Sequence, residues 1–293
     1  MMAIRRSLVC LLGSMLGLAG TGCIVVSSSG LGFGCSRTKV WTEPVTEEVA
    51  FDGAGLSALE VHTHNGTITF DGQPSGSTGG IVTVTKKAGG GSPEDAEAAF
   101  EAIDVTVERV GADTQRIGWK WRGIKRPTWS ARVSFEVKAP GQLSVNSKTH
   151  NGAVTISGVT GDVYAETHNG PVNVDSRNGK LYAKTHNGKI TTAYTGSDIT
   201  LTSHNGRITA DLNQCQKVAG DITTHNGGVE VLVGNATSTS LDCKTHNGSI
   251  KASVPIQQGT ATKRRLTGTI GSGDGNLNVT THNGSVRIRP STG

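Results

Sequence analysis

Val163-Tyr164-Ala165-Glu166-Thr167-His168-Asn169-Gly170-Pro171-Val172-Asn173-Val174-Asp175-Ser176-Arg177-Asn178-Gly179-Lys180 carries the plan of most of the chain. Apolar and polar residues alternate in Val163 to Thr167 and again in Val172 to Asp175, the pattern of half-buried strands. Each strand runs into an Asn-Gly pair. Leu181-Tyr182-Ala183-Lys184-Thr185-His186-Asn187-Gly188 then begins the plan again, 18 residues later. The unit is therefore a short strand and a glycine turn of about nine residues, and two units make a coil. A strand that is apolar on one face cannot bury that face alone, so the coils must stack.

His-Asn-Gly recurs at residues 64, 150, 168, 186, 204, 225, 246 and 282, always after Thr or Ser, and holds eight of the nine histidines. The copies from 150 to 204 are spaced by 18 residues, the next two gaps are 21, and the last is 36. Alternation points Val163, Ala165 and Thr167 inward and Tyr164, Glu166 and His168 outward. Parallel stacking at ~4.8 Å per coil predicts a rod of roughly 35 Å over the motif-bearing coils. Extra residues are expected to bulge at Asn213 to Lys217 and Gly234 to Ser240. The long gap is expected to hold one coil without the motif, decorated by Lys263-Arg264-Arg265.

Composition agrees with short strands and tight turns: 41 glycines and 4% aromatics in 293 residues. The net charge of +5 falls to about +3 without Arg5 and Arg6. That excess is too small and too scattered for a nucleic-acid partner. Arg5 and Arg6 precede the apolar run Leu8 to Ala19, too short to span a bilayer, so 1–22 reads as a signal peptide. Gly20-Thr21-Gly22-Cys23 resembles a lipobox, with Cys23 as the lipidated residue, although Gly20 stands where Leu is usual. Residues 23–45 read as a Ser/Gly-rich tether from a membrane anchor. Cys35, Cys215 and Cys243 remain; Cys243 shares a strand face with Leu241 and Thr245, as a buried thiol would.

Residues 46–142 read as a less regular β region, and 143–289 as the repetitive solenoid. In the first, Leu59 to Thr63, Thr67 to Phe70, Ile81 to Thr85, Val105 to Val107, Gln115 to Trp121 and Ala131 to Val137 are predicted strands. Ser92-Pro93-Glu94-Asp95 predicts a helix start, with Ser as N-cap, Pro at the first position and acids in the first turn.

The recurrent Thr-x-Asn-Gly-x-(Ile/Val) turn, as in Thr149 to Val154, Thr185 to Ile190 and Thr281 to Val286, resembles the bacterial putative-adhesin family of β-strand-repeat proteins. So does the closing stretch Leu266 to Gly271 with Leu277 to Ile288. The resemblance covers roughly residues 50 to 289. It implies an all-β, right-handed parallel β-helix-like solenoid and no catalytic residues. This chain differs in carrying His at nearly every x position.

Glycine adopts positive φ without cost and Asn tolerates it. Asn151, Gly152, Asn169, Gly170, Asn187, Gly188, Asn205, Gly206, Asn226, Gly227, Asn247, Gly248, Asn283 and Gly284 are accordingly expected to build the turns. Buried Asn amides would bond from coil to coil, and Thr hydroxyls would stack likewise. Nothing in a turn requires His, as Arg177 shows. His150, His168, His186, His204, His225 and His246 would stand about 5 Å apart. Neighbours among them could share a Zn²⁺ or Ni²⁺ ion, the competing reading of the column, although no Cys or carboxylate accompanies them at regular spacing. Charging such a column would be self-repelling, so stability should fall with pH.

Trp119, Lys120, Trp121 and Arg122 form a second candidate, either a ligand surface for sugars or lipid headgroups, or a cap on an open solenoid end. Glu166, Asp175, Asp198 and Asp211 are too dispersed for a glycosidase pair. The Asn-Gly turns lack the regular Asp of calcium-binding repeats. The Gly-rich stretch Gly268 to Gly275 reads as a turn rather than a phosphate loop. The sequence thus predicts a non-catalytic, exported envelope protein, an adhesin or surface scaffold, with a glycan or envelope protein as partner.

Overall fold

The computed structural model describes residues 39–74 and 76–291. The expected signal peptide, Cys23, Cys35 and most of the expected tether lie outside the described residues.

The described chain begins with β1 (Val40–Trp41) and β2 (Val45–Asp52), followed by a first coil of β3 (Ala58–His62) and β4 (Ile68–Gln73). Next come β5 (Gly79–Gly90), helix α1 (Pro93–Glu101), β6 (Ile103–Val110), β7 (Thr114–Trp121) and β8 (Ser130–Pro140). Five coils follow: β9 (Ser144–Asn151) with β10 (Val154–Val159), β11 (Val163–Asn169) with β12 (Val172–Ser176), β13 (Leu181–Thr185) with β14 (Ile190–Tyr194), β15 (Asp198–Ser203) with β16 (Ile208–Leu212), and β17 (Ala219–Thr224) with β18 (Val229–Val233). The chain closes with β19 (Thr239–Thr245), β20 (Ile250–Ala252), β21 (Gln257–Ala261), β22 (Arg265–Ile270), β23 (Asn276–Thr281) and β24 (Val286–Pro290).

These strands form two sheets of twelve. The front sheet runs β6-β7-β3-β9-β11-β13-β15-β17-β23-β19-β22-β21, and the back sheet β5-β8-β4-β10-β12-β14-β16-β18-β24-β20, with β1 and β2 both on β5. Pairing is parallel from β7 to β19 in front and from β8 to β20 behind. Antiparallel strands border the front sheet at both ends and the back sheet at β5. The protein is a two-sheet, nearly all-β solenoid.

Alternation along the strands explains the core. The inward residues Ile68, Val154, Val172, Ile190, Ile208, Val229 and Val286 occupy one register position down the back sheet, all buried. A fully buried aliphatic side chain contributes about 2 kcal/mol relative to exposure. Stacking converts that modest term into a continuous interior.

The chain does not add its coils in sequence order. The coil β3–β4 lies between β7–β8 and β9–β10, and β23–β24 lies between β17–β18 and β19–β20. Residues 46–142 and 143–289 therefore share both sheets without a break. Close glycine contacts accompany both crossings. An added Cβ would lie 2.2 Å from the Gly158 carbonyl oxygen at Gly72, and 2.3 Å from it at Gly141. At Gly275, within the expected Gly-rich turn, it would lie 1.8 Å from the Val218 oxygen.

Two expectations need correction. The 36-residue gap holds no extra coil: it holds β20 and the antiparallel β21–β22 pair, after which the chain doubles back to insert its last coil. Residues 40 and 41, within the expected tether, are strand β1 on β5, with Val40 opposite Gly90. The expected helix is α1, where the Ser92 hydroxyl accepts from the Asp95 N–H and Pro93 opens the first turn. The surplus residues at 213–217 and 234–238 sit at back-to-front corners.

Candidate functional site

Every front-to-back corner of the motif-bearing coils is built from the same four residues, each with its own task. From Thr149 onward the Thr or Ser points inward and donates its hydroxyl to a glycine carbonyl one coil away, Thr167 to Gly152 at 2.8 Å, Thr185 to Gly170 at 2.9 Å and Ser203 to Gly188 at 3.0 Å, whereas Thr63 donates to the Val133 carbonyl at 2.7 Å. These hydroxyls bond to backbone rather than to one another, because the neighbouring corner presents its carbonyl to them.

Asn forms an amide ladder on the outside. Asn169 donates to Asn151 at 2.7 Å, and Asn187, Asn205, Asn226, Asn283 and Asn247 continue it with bonds of 2.8 Å. Asn151 donates to Asn65 at 2.6 Å. The ladder matches the expectation, but most of its members are exposed rather than buried.

Glycine serves close approach, not positive φ. None of the motif glycines is among the described residues with positive φ. A Cβ on Gly152, Gly170, Gly188, Gly206, Gly227, Gly248 or Gly284 would instead lie 1.7–2.0 Å from the carbonyl oxygen of the neighbouring corner's glycine. In the opposite corner Asn178 has positive φ, at 69°.

Histidine is left over. The eight motif side chains are exposed and stack in one column, in the spatial order 64, 150, 168, 186, 204, 225, 282, 246. Ring centroids are 4.6–4.9 Å apart, and interplanar angles are 2–13° except 24° at the His64–His150 end. At ~4.8 Å per step the column is roughly 34 Å long. Inserting the last coil places His282 between His225 and His246 without interrupting it. Desolvation against its neighbours, then the charges of His186 and His225, hold His204 below its ordinary pKa.

This geometry argues against the metal reading of His150, His168, His186, His204, His225 and His246. Lone pairs of imidazole nitrogens lie in the ring plane, so nearly parallel rings aim them side by side instead of converging on one ion. Among the described residues, no group of three or more His, Cys, Asp or Glu is placed to hold a metal ion.

A lysine extends the column at its His64 end. The β3–β7 register, with Val61 opposite Ile117, carries on to place Lys120 beside His64. At the other end Lys263 lies in the turn between β21 and β22, where the Thr262 N–H donates to the Arg265 carbonyl at 2.8 Å and the Lys263 carbonyl accepts from the Ile250 N–H at 3.0 Å. The Lys120 ammonium is 4.0 Å from Asp104, which also lies 3.6 Å from Arg122.

The same register explains the tryptophans. Trp119 takes the Thr position of the end coil and Trp121 the Asn position. Trp119 donates its indole N–H to Thr63 at 3.1 Å, and Trp121 packs edge-on against it with centroids 5.4 Å apart. Trp129 follows at 5.6 Å and donates to Asp95 at 2.8 Å. The Gly91 N–H, with the donors of Thr128, Trp129 and Arg126, holds Asp95 at about 2. Trp119 and Trp121 both pack on the core, in the position of a cap. Beside them a cavity of about 600 Å³ is lined by His62, His64, Lys120 and Lys125 as well as the tryptophans. His62 Nε2 is buried there without a hydrogen-bond partner. Burial holds His62 below its ordinary pKa; Glu60 opposes this, while Lys148 and Arg116 add to it.

Cys215 and Cys243 are free and buried, and burial pushes each thiol up to about 12. The Lys120 continuation and the crossing glycines escaped sequence reading because both depend on coils that stack out of chain order.

No curated protein matches the chain. Similar solved structures include a putative cell adhesion protein from Clostridium sporogenes, 11% identical, covering 85% of this chain and 100% of that one with a TM-score of 0.39. A putative adhesin from Bacteroides fragilis is 13% identical, covering 84% and 97% with a TM-score of 0.38. A putative lipid binding protein from Parabacteroides distasonis is 12% identical, covering 84% and 96% with a TM-score of 0.28. The family model described as Toastrack DUF4097 matches residues 56–289, from the threshold of β3 into β24. Spanning all the parallel coils in this way, the chain belongs to the Toastrack DUF4097 family.

Proposed function

We propose that the protein is a non-catalytic interaction scaffold of the bacterial cell envelope, an adhesin-like rod that offers a repeated surface to a repetitive partner. One observation carries this reading. The fold consumes the Thr, Asn and Gly of its motif in coil-to-coil contacts and leaves eight exposed imidazoles in an unbroken column. A side chain repeated eight times in one outward position, with no task inside the fold, suits recognition better than architecture. The dispersed acids support the non-catalytic part: Glu166 is engaged by the Tyr164 hydroxyl at 2.7 Å and faces Lys184 at 3.5 Å, so it is tied into the surface.

Export through residues 1–22 and anchoring through Cys23 belong to the same proposal and rest on the sequence. Mass spectrometry of the protein from membranes should show a diacylglyceryl-modified Cys23 as the first residue. For the scaffold itself, the full chain purified without a histidine tag is incubated with immobilised envelope glycans, neutral and acidic, and with envelope fractions. Retention on at least one is expected; retention on none overturns the reading.

A further inference from the structure

We infer that the imidazole column is a binding track for an extended acidic polysaccharide, engaged as the pH falls below neutrality. This deepens the scaffold reading and rests on it.

The track has a shape. Beside the column the outward front-sheet residues Thr202, Thr223 and Thr280 are short, and they floor a shallow groove of about 610 Å³. His186 to His246 form its wall, and Lys184 and Lys244 stand at its ends. The column itself ends at Lys120 beside His64, and with Lys184 and Lys244 this sets permanent positive charge along a row of groups that gain charge on acidification. Lys189 and Arg207 add charge at the corner, just past the glycines.

Most acids on the column's face are paired with cations: Glu166 is held by Tyr164 and Lys184, Asp242 lies 2.8 Å from Lys244 and 3.3 Å from Arg265, Asp104 lies beside Lys120 and Arg122, and Glu60 lies 2.8 Å from Arg116, while Asp221 accepts from the Asn278 amide at 3.0 Å. Lys148 sits over the Tyr164 ring at 4.7 Å, on the same face.

Two chemistries run side by side along the rod. Imidazole changes charge between pH 5 and 8, and when charged it offers only N–H donors, which suit anions. Neighbouring imidazoliums repel, and a polyanion laid along them relieves that repulsion, so proton uptake and binding reinforce one another. The Asn ladder uses one amide N–H and one oxygen lone pair per rung, leaving one donor and one acceptor for a ligand. Hydroxyls use both. A chain bearing hydroxyls and regularly spaced anions therefore fits better than a polyphosphate, which only accepts. Desolvation by its stacked neighbours, and after it the charges of His186 and His225, lowers the pKa of His204.

The test measures binding of the full chain to polygalacturonate at pH 5.5 and 7.5, with dextran as neutral glycan and polyphosphate as non-glycan polyanion. Binding to polygalacturonate is expected to be about tenfold tighter at pH 5.5 than at 7.5 and to weaken with salt. The triple variant H186Q/H204Q/H225Q should bring the pH 5.5 affinity down to the pH 7.5 level. If that variant does not melt like the parent at pH 7.5, H204Q alone carries the test with a smaller loss. Equal affinity at both pH values, or an unchanged triple variant, overturns the track. Equal binding of dextran overturns the acidic component, and tighter binding of polyphosphate overturns the glycan component. In all these cases, retention on envelope glycans or fractions leaves the scaffold reading standing, whereas retention on none removes both.

Discussion

Where a front strand turns into a back strand, successive coils repeat the same four-residue corner; where a back strand returns to the front, the corners differ. The return corner is Thr160-Gly161-Asp162 in one coil, Arg177-Asn178-Gly179-Lys180 in the next and Thr195-Gly196-Ser197 in the third. Later it swells to residues 213–218 and 234–238. Three stacked interactions make the first corner intolerant: the Thr-to-glycine hydrogen bond, the Asn ladder and glycine-on-glycine contact. The return corner is held by local solutions. At one of them the Tyr194 hydroxyl lies 2.7 Å from both Gly179 O and Asp198 O and accepts from the Asp198 N–H at 3.0 Å. Repetition enforces one length, while improvisation admits insertions.

The sharpest way to break this contrast is to insert the same Gly-Ser-Gly triplet at each corner. Between Asn187 and Gly188 it should cost more than about 4 kcal/mol in denaturant unfolding or abolish folding, since it severs all three stacks. After the exposed Asn235 it should cost less than about 1 kcal/mol. Equal costs would erase the distinction.

Gly206→Ala comes next. Its Cβ would fall 1.7 Å from the Gly188 oxygen, so the backbones must part, at a cost of about 3 kcal/mol or more. Gly111→Ala has a φ of 68° but nothing within 4 Å and should lose only about 1 kcal/mol. A smaller loss at Gly206 than at Gly111 would restore positive φ as the leading cause.

Single hydrogen-bonding groups sharpen the comparison further. Tyr194→Phe removes three hydrogen bonds to the Gly179 and Asp198 backbone and should cost about 2 kcal/mol, and Thr185→Val removes one and should cost about 1 kcal/mol. The reverse order in thermal melts would place the firmer hold at the repeated corner even for individual bonds.

These differences show what was readable from residues alone. Strand positions, the inward and outward faces, the histidine column, helix α1 and the places of the surplus residues all follow from local alternation and capping chemistry. Three features were not readable. Glycine conformation depends on how near the next coil's carbonyl comes, which no periodicity reports. The Lys120 end of the column depends on β7, whose register is set by strands far away in the chain. The 36-residue gap equals two 18-residue periods, so arithmetic favoured another coil, yet Gln257–Ala261 is fully exposed and lies at an antiparallel edge.

The smallest effect concerns acidification. His204 has a folded-state pKa below its ordinary value of 6.5, so the folded chain binds fewer protons there than the unfolded chain. The resulting loss of stability begins as pH drops through about 6.5 and is complete below the folded-state value. Melting temperature should therefore be lower at pH 5 than at pH 7.5, and H204Q should narrow the difference. A profile unaltered by H204Q would locate the pH sensitivity elsewhere.

The insertion of β23–β24 beneath β19–β20 bears on the order of events during synthesis. Strands 239–245 and 250–252 emerge from the ribosome before 276–281 and 286–290, the strands on which they rest. Until residues 276–290 are made, β17 and β18 lack the native neighbours that cover their edge, and β19 and β20 lack the parallel strands they pair with. The native strand order is therefore completed only by the last coil, which takes its place between two segments made before it. A ribosome stalled before residue 276 would display an unpaired parallel edge, a template for another chain.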